Sequence, residues 1–166
     1  MAINIFTHAS SQQDGKTGWA CFIAEEDLII QGRLPDHTPI TLAELHAIHA
    51  ALAWRESQSR SEPTVIHSDS MAALTILITT NFHTYPEITS KIFKLASVLQ
   101  HSRRHVTLHW VPSHLNLEGN EKADTLPMEA ISLDLIQHAE QTRATYSQSP
   151  GNIRPSKPTQ IHLCRR

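Results

Sequence analysis

Cysteine is scarce in this chain. Cys21 and Cys164 are the only two among 166 residues, they lie far apart, and no Cys-x-x-Cys occurs. Neither a disulfide scaffold nor a cysteine-based zinc site is expected. No apolar run approaches the ~20 residues of a membrane span. The first residues also lack the basic patch and apolar stretch of a signal peptide, so an intracellular setting, cytoplasmic or nuclear, is expected. Nor does one sign of charge dominate. The formal net charge of −2 is not the signature of a strongly basic nucleic-acid binder. It is unevenly distributed, with residues 1–127 at net −4 and residues 128–166 at net +2.

What remains is the composition of a soluble globular chain, 40% hydrophobic and 18% charged, long enough for one domain with a sizeable core. Twelve histidines are many for this length, but they are scattered, and only His46 and His49 share a close helical spacing. A metal site built from histidine alone is not indicated.

The apolar pattern gives an order of elements. Ile3–Thr7, Gly18–Ala24 and Leu28–Leu34 have strand character, and their short connections favour an antiparallel meander. In "TLAELHAIHAALAW" the period changes, with Leu45, Ile48 and Leu52 at helical spacing. Thr41 and Glu44 form a capping-box pattern at its start. Thr64–Asp69 is β-branched and strand-like, "SMAALTILI" is helical, and the chain breaks at Pro86. "ITSKIFKLASVLQ" is a further amphipathic helix, His105–Pro112 a strand, and "SHLNLEGNEKADTL" a loop opening a last helix that Pro127 shortens or kinks. A meander followed by strands alternating with helices implies a mixed sheet with helices packed on it. The domain is expected over residues 1–132. Residues 133–166, where periodicity fades into "YSQSPGNIRPSKPTQ", are expected to form a flexible or disordered tail.

Three carboxylates fall where chemistry could use them: Glu44 in the first turn of a helix, Asp69 at a strand end, and Asp124 in the last helix. Each has a purely structural alternative. Glu44 could complete the capping box with Thr41, Asp69 could cap the helix that begins at Ser70, and Asp124 could belong to a solvated helix face. Converging at one edge of the sheet, however, such oxygens hold Mg²⁺ or Mn²⁺, and two such ions ~3.5–4 Å apart can clamp the oxygens of a phosphodiester displacement.

The stretches "IFTHAS", "RLPDHTPITLAELHAIHAALAW", "TVIHSDSMAAL" and "VTLHWVPSHLNLEGNEKAD" together resemble ribonuclease H of type 1, above all the ribonuclease H domains of LINE-like retrotransposon polyproteins. They follow that family's order over residues 3–126, and "WVPSH" with "GNEKAD", ten positions from His114 to Asp124, is the most specific part. The resemblance implies an α/β, ribonuclease H-like fold. Its five-stranded mixed sheet has a three-strand antiparallel meander, two parallel strands, and helices on both faces. It also implies a metal-dependent endonuclease that hydrolyses the RNA strand of an RNA–DNA hybrid, with a reverse transcriptase polyprotein as one context. By the same resemblance Glu44, Asp69 and Asp124 hold two Mg²⁺ or Mn²⁺ ions and His114 is a mobile loop histidine. Asn120, Ser10 and Ser70 lie where the nucleic acid is touched. Lys91, Lys94, Arg103 and Arg104 are candidate phosphate contacts.

One position departs from the family. Its first acid stands in a pattern like Thr-Asp-Gly-Ser, which here reads Thr7-His8-Ala9-Ser10. His8 brings one nitrogen and no negative charge where a carboxylate could bridge two cations. Asp14, six residues downstream, could substitute only through a rearranged turn. The alternatives to the enzyme are therefore an impaired ribonuclease H-like module that binds nucleic acid without cutting it, and a polyprotein fragment without independent function.

Overall fold

The computed structural model describes residues 1–112 and 125–133, and the backbone of a strand at His162–Cys164. Strands β1 (Ile3–Ser11), β2 (Thr17–Ile23) and β3 (Leu28–Leu34) form the expected meander. Helix α1 (Ile40–Ser57) leads to β4 (Thr64–Ser68), and α2 (Met71–Ile78) and α3 (Pro86–His101) precede β5 (Val106–Trp110). The sheet order is β3-β2-β1-β4-β5, antiparallel from β3 to β1 and parallel from β1 to β5. This is the mixed five-stranded arrangement that the sequence implied. A short β6 (His162–Cys164) adds in parallel at the edge of β5. It comes from the stretch expected to be a tail, whose other residues beyond Leu133 lie outside the described part, as do most of the residues of the loop and last helix.

Alternation in β1 makes the layers. Ile3, Ile5, Thr7 and Ala9 are buried while the residues between them are half-buried. Ile3 and Ile5 join Leu45, Ile48 and Leu52 of α1, the three positions whose spacing marked that helix, in the main core. Every residue of β2 is buried, because the strand is covered on both sides. Cys21 and Ile23 face the main core, and burial pushes the Cys21 thiol up to about 12. Ala20 and Phe22 instead pack on Leu126 from helical residues 125–130. Gly18 lets that segment approach. A Cβ there would stand 2.4 Å from the carbonyl oxygen of Pro127, whose position is held by a bond from the Ile131 amide.

Two helix starts differ from their sequence expectations. α1 begins at Ile40 behind Pro39 and has no side-chain cap, so the expected box between Thr41 and Glu44 does not form. α2 is capped by Ser70, whose hydroxyl accepts from the Ala73 amide at 3.2 Å, and not by Asp69. At the other end of α1, Arg104 Nη1 donates to the carbonyls of Glu56 and Gln58 at 2.8 and 2.6 Å. A cation on the last carbonyls of a helix is favourably placed. Arg104 is thus committed to holding α1 rather than to a phosphate, and Lys91 pairs with Glu87 at 3.1 Å.

The sheet face away from α1 carries a polar chain. Glu25 accepts from the Asn4 side-chain amide at 2.9 Å, and Asn4 Oδ1 accepts from His67 Nε2 at 3.1 Å. His67 Nδ1 is therefore the lone-pair nitrogen, and His109 Nδ1 donates to it at 3.1 Å. Phe6 stacks on His67 with centroids 4.6 Å apart. Burial, followed by the nearby His109, lowers the His67 pKa to about 4. Burial likewise lowers His46 on α1 to about 4.

The sign of the resulting pH dependence follows. The unfolded chain protonates these rings near 6.5 and the folded protein only near 4, so between those values the unfolded state binds more protons. The contribution of these two rings to stability is full above pH 6.5 and falls as the pH drops toward 4. We expect the thermal midpoint to fall between pH 7 and 5, and to fall less in His67→Gln. Gly18→Ala is expected to cost about 1–3 kcal/mol through overpacking, read from the denaturation midpoint. An unchanged midpoint would mean that helical residues 125–130 do not dock on β2 as described.

Candidate metal centre

The site arises where the sheet opens. β1 and β4 pair in parallel from Ile3↔Thr64 to Thr7↔Ser68, and there the ladder ends. β1 continues beside β2 alone, with His8↔Ala20 and Ala9↔Trp19. His8 and Asp69 are the next residues on the two parting strands, so the crevice lies at the C-terminal ends of parallel strands, where open α/β sheets place their ligands. Thr7 and Ser68 close its floor. Thr7 Oγ1 donates to the His67 carbonyl at 3.1 Å, and Ser68 Oγ accepts from the Ser70 amide at 3.2 Å.

Glu44 enters from α1. Ala43 and Ala47 on that helix pack against Ala9 and Trp19, and small residues bring the helix close to the end of β1. The Glu44 carboxylate then reaches across the strand, and its Oε1 accepts from the Ala9 amide at 2.9 Å. This contact replaces the capping box: the carboxylate is turned away from its own helix start and toward β1. Asp69 is likewise relieved of capping by Ser70. Trp110 Nε1 donates to the Asp69 carbonyl at 3.3 Å, tying the turn after β4 to the end of β5. Sequence reasoning quoted Trp110 within "WVPSH" but gave it no role; its place at the end of the "HVTLHW" strand was the available signal.

The three side chains converge. His8 Nδ1 is 3.2 Å from Asp69 Oδ1 and 3.7 Å from Glu44 Oε1. One donor atom from each lies within 4.8 Å of the others. Glu44 is nearly fully buried, at 5% side-chain exposure, against 10% for Asp69 and 23% for His8, so the opening to solvent is on the His8 side. Two carboxylates and an imidazole suit a divalent cation. Donors that share one ion at ~2.0–2.2 Å stand roughly 3 Å or slightly more apart, close to the spacings found here. The set fits one ion with mixed oxygen and nitrogen donors. It does not reproduce an all-carboxylate cage.

The other sequence candidates divide. Ser10 Oγ donates to Met128 Sδ at 3.1 Å, beside helical residues 125–130, and Ser70 serves as the α2 cap. Asp14 does not join the site. It sits in the turn between β1 and β2, where Lys16 Nζ is 2.8 Å from its carboxylate, and this pairing lowers its pKa. His114, Asn120 and Asp124 lie outside the described residues. Among the described residues, no helix is long and apolar enough to cross a membrane.

A protein-family model described as RNase H matches residues 1–132. A search of curated proteins finds no match to the chain.

The division of labour between Ser70 and Asp69 is open to test. Ser70→Ala is expected to lower stability by about 1 kcal/mol through loss of the cap. The same change should leave divalent-ion affinity within about twofold of native, since the hydroxyl it removes is engaged by the Ala73 amide. A large loss of ion affinity in calorimetry would place Ser70 in the centre itself.

Proposed function

The chain belongs to the RNase H family, and on that premise we propose that it is an endoribonuclease hydrolysing the RNA strand of an RNA–DNA hybrid with the help of a divalent ion. The observation that carries this reading is the convergence of Glu44 and Asp69 at the open end of the β1/β4 ladder. A bound divalent cation supplies Lewis-acid polarisation of the scissile phosphate and lowers the pKa of a bound water. In this proposal Glu44 and Asp69 are the acids that hold it, with Asp124 as a third. The Ala9 amide fixes the Glu44 carboxylate, so that the charge is in place before substrate arrives. His114 moves a proton at the departing 3′ oxygen or helps product leave. Ser10, Ser70 and Asn120 contact the nucleic-acid backbone, and the hybrid is read through its minor groove, 2′-hydroxyls and phosphates. Mg²⁺ and Mn²⁺ are the ions to which the family resemblance points. A retroelement origin and a reverse transcriptase neighbour are supported by the "WVPSH…GNEKAD" pattern.

A second reading is favoured by one contact. His8 lies within 3.7 Å of both acids at the position of the family's first carboxylate, which removes one negative charge from the centre. On that reading the domain grips hybrid without cutting it.

Labelled RNA–DNA hybrid incubated with the native chain in Mg²⁺ and separately in Mn²⁺ decides between them. We expect endonucleolytic cleavage, reduced by at least about 100-fold in Asp69→Asn and Glu44→Gln, the scale at which a positioned charge is lost from a catalytic centre. Silence from the native chain with cleavage by His8→Asp would mean an otherwise sound site disabled at one position, and retained hybrid affinity of the native chain would then support the binding module. Cleavage that survives Asp69→Asn would remove the candidate centre from the reaction altogether.

A further inference from the structure

His8 changes what the centre can hold. We propose that His8, Glu44 and Asp69 form a mixed nitrogen–oxygen site for a single first-row transition-metal ion, and that the site selects such an ion over Mg²⁺. This rests on the reading of the crevice as a metal centre given above, and specifies the ion that reading left as Mg²⁺ or Mn²⁺.

The geometry is that of donors around one ion. His8 Nδ1, the ring nitrogen nearest the backbone, is the atom turned toward both acids, at 3.2 Å from Asp69 Oδ1 and 3.7 Å from Glu44 Oε1. Each donor comes from a different element and each is restrained. His8 is in β1, hydrogen-bonded across to β2. Glu44 Oε1 is held by the Ala9 amide, and the backbone of Asp69 by Trp110. With the Glu44 carboxylate held and the backbones of His8 and Asp69 fixed, the imidazole stays beside an ion that both acids share.

The chemistry then sets the preference. Mg²⁺ demands oxygen ligands, keeps its waters, and owes its binding to local negative charge. An imidazole in place of a carboxylate removes one charge and offers a donor that Mg²⁺ does not favour. Zn²⁺, Co²⁺ and Mn²⁺ accept nitrogen beside carboxylate oxygen, and affinity rises along the first-row series from Mn²⁺ to a maximum at Cu²⁺, before falling at Zn²⁺. A carboxylate has two oxygens with which to bridge a pair of ions, whereas Nδ1 is one donor and serves one ion. With one of the three bridging positions reduced to a single donor, the set His8, Glu44 and Asp69 favours one shared ion over a bridged pair.

The test uses the full chain, with Mn²⁺ as probe and Mg²⁺ as competitor. Binding is followed by the electron paramagnetic resonance signal of unbound Mn²⁺, and the ligand by spin-echo modulation from a directly coordinated ¹⁴N. We expect native protein to show nitrogen modulation and to bind Mn²⁺ at least about tenfold more tightly than Mg²⁺. In His8→Asp the modulation should vanish and the Mg²⁺ needed to displace Mn²⁺ should fall by at least tenfold. Because the chain has many other histidines, the decisive comparison is between these two proteins, with equal thermal midpoints as the control for folding. Absence of nitrogen modulation in the native chain, its persistence in His8→Asp, or equal Mg²⁺ competition in both would overturn the proposal. Its failure is separable from that of the ribonuclease reading. Nitrogen-coordinated Mn²⁺ without hybrid cleavage sinks only the enzyme, while Mg²⁺-driven cleavage by a native chain lacking the modulation sinks only this inference.

Discussion

The parallel pairing of β1 with β4 is the constraint on which the rest depends. It joins residues about sixty positions apart, places β1 at the centre of the sheet, and requires α1 to cross one face to make the connection. Its register also decides where it stops. Once Thr7 is opposite Ser68, the following residues of the two strands have no ladder partner in each other, and a crevice opens between them. A shift of one residue would turn every side chain of β1 to the other face, moving Ile3 and Ile5 out of the core. The hydrophobic pattern that fixes the core therefore also fixes which residues stand at the crevice.

The two acids reach the crevice because neither is engaged in capping its helix. Ser70 caps α2, which leaves the Asp69 carboxylate to His8. α1 begins without a side-chain cap, and Glu44 satisfies the Ala9 amide at a point where β1 has parted from β4. A buried carboxylate is costly unless its charge is met by donors or a cation. Having Glu44 at so closed a place, with a backbone amide and an imidazole beside it, marks a position kept for charge rather than for solubility.

The opposite end of the sheet shows the contrary use of charge. Arg55, fully buried, donates to the carbonyls of Arg60 and Glu62, and Arg104 gathers the last carbonyls of α1. These arginines organise the turn into β4 and so support its register. Arg104, which looked available for phosphate in the sequence, is used for the fold, at the end of the strands remote from the crevice.

Much of this was legible in the chain itself. The alternation in β1, the helical spacing of Leu45, Ile48 and Leu52, and the breaks at polar stretches and Pro86 are local properties, and they gave the elements in order. The motifs around Glu44 and Asp69 pointed to the acids, and the Thr7–Ser10 stretch to the anomaly of His8. What tertiary structure decided is non-local. Whether Glu44 and Asp69 cap their helices or face a crevice depends on competition between partners that only packing brings within reach, here the Ala9 amide and His8. The same holds for Asp14, drawn to Lys16 in its own turn, and for Arg104, drawn to carbonyls nearly fifty residues away. Sequence determined which residue types stood at each position and hence what they could do; contacts between distant segments determined which of those possibilities each one took.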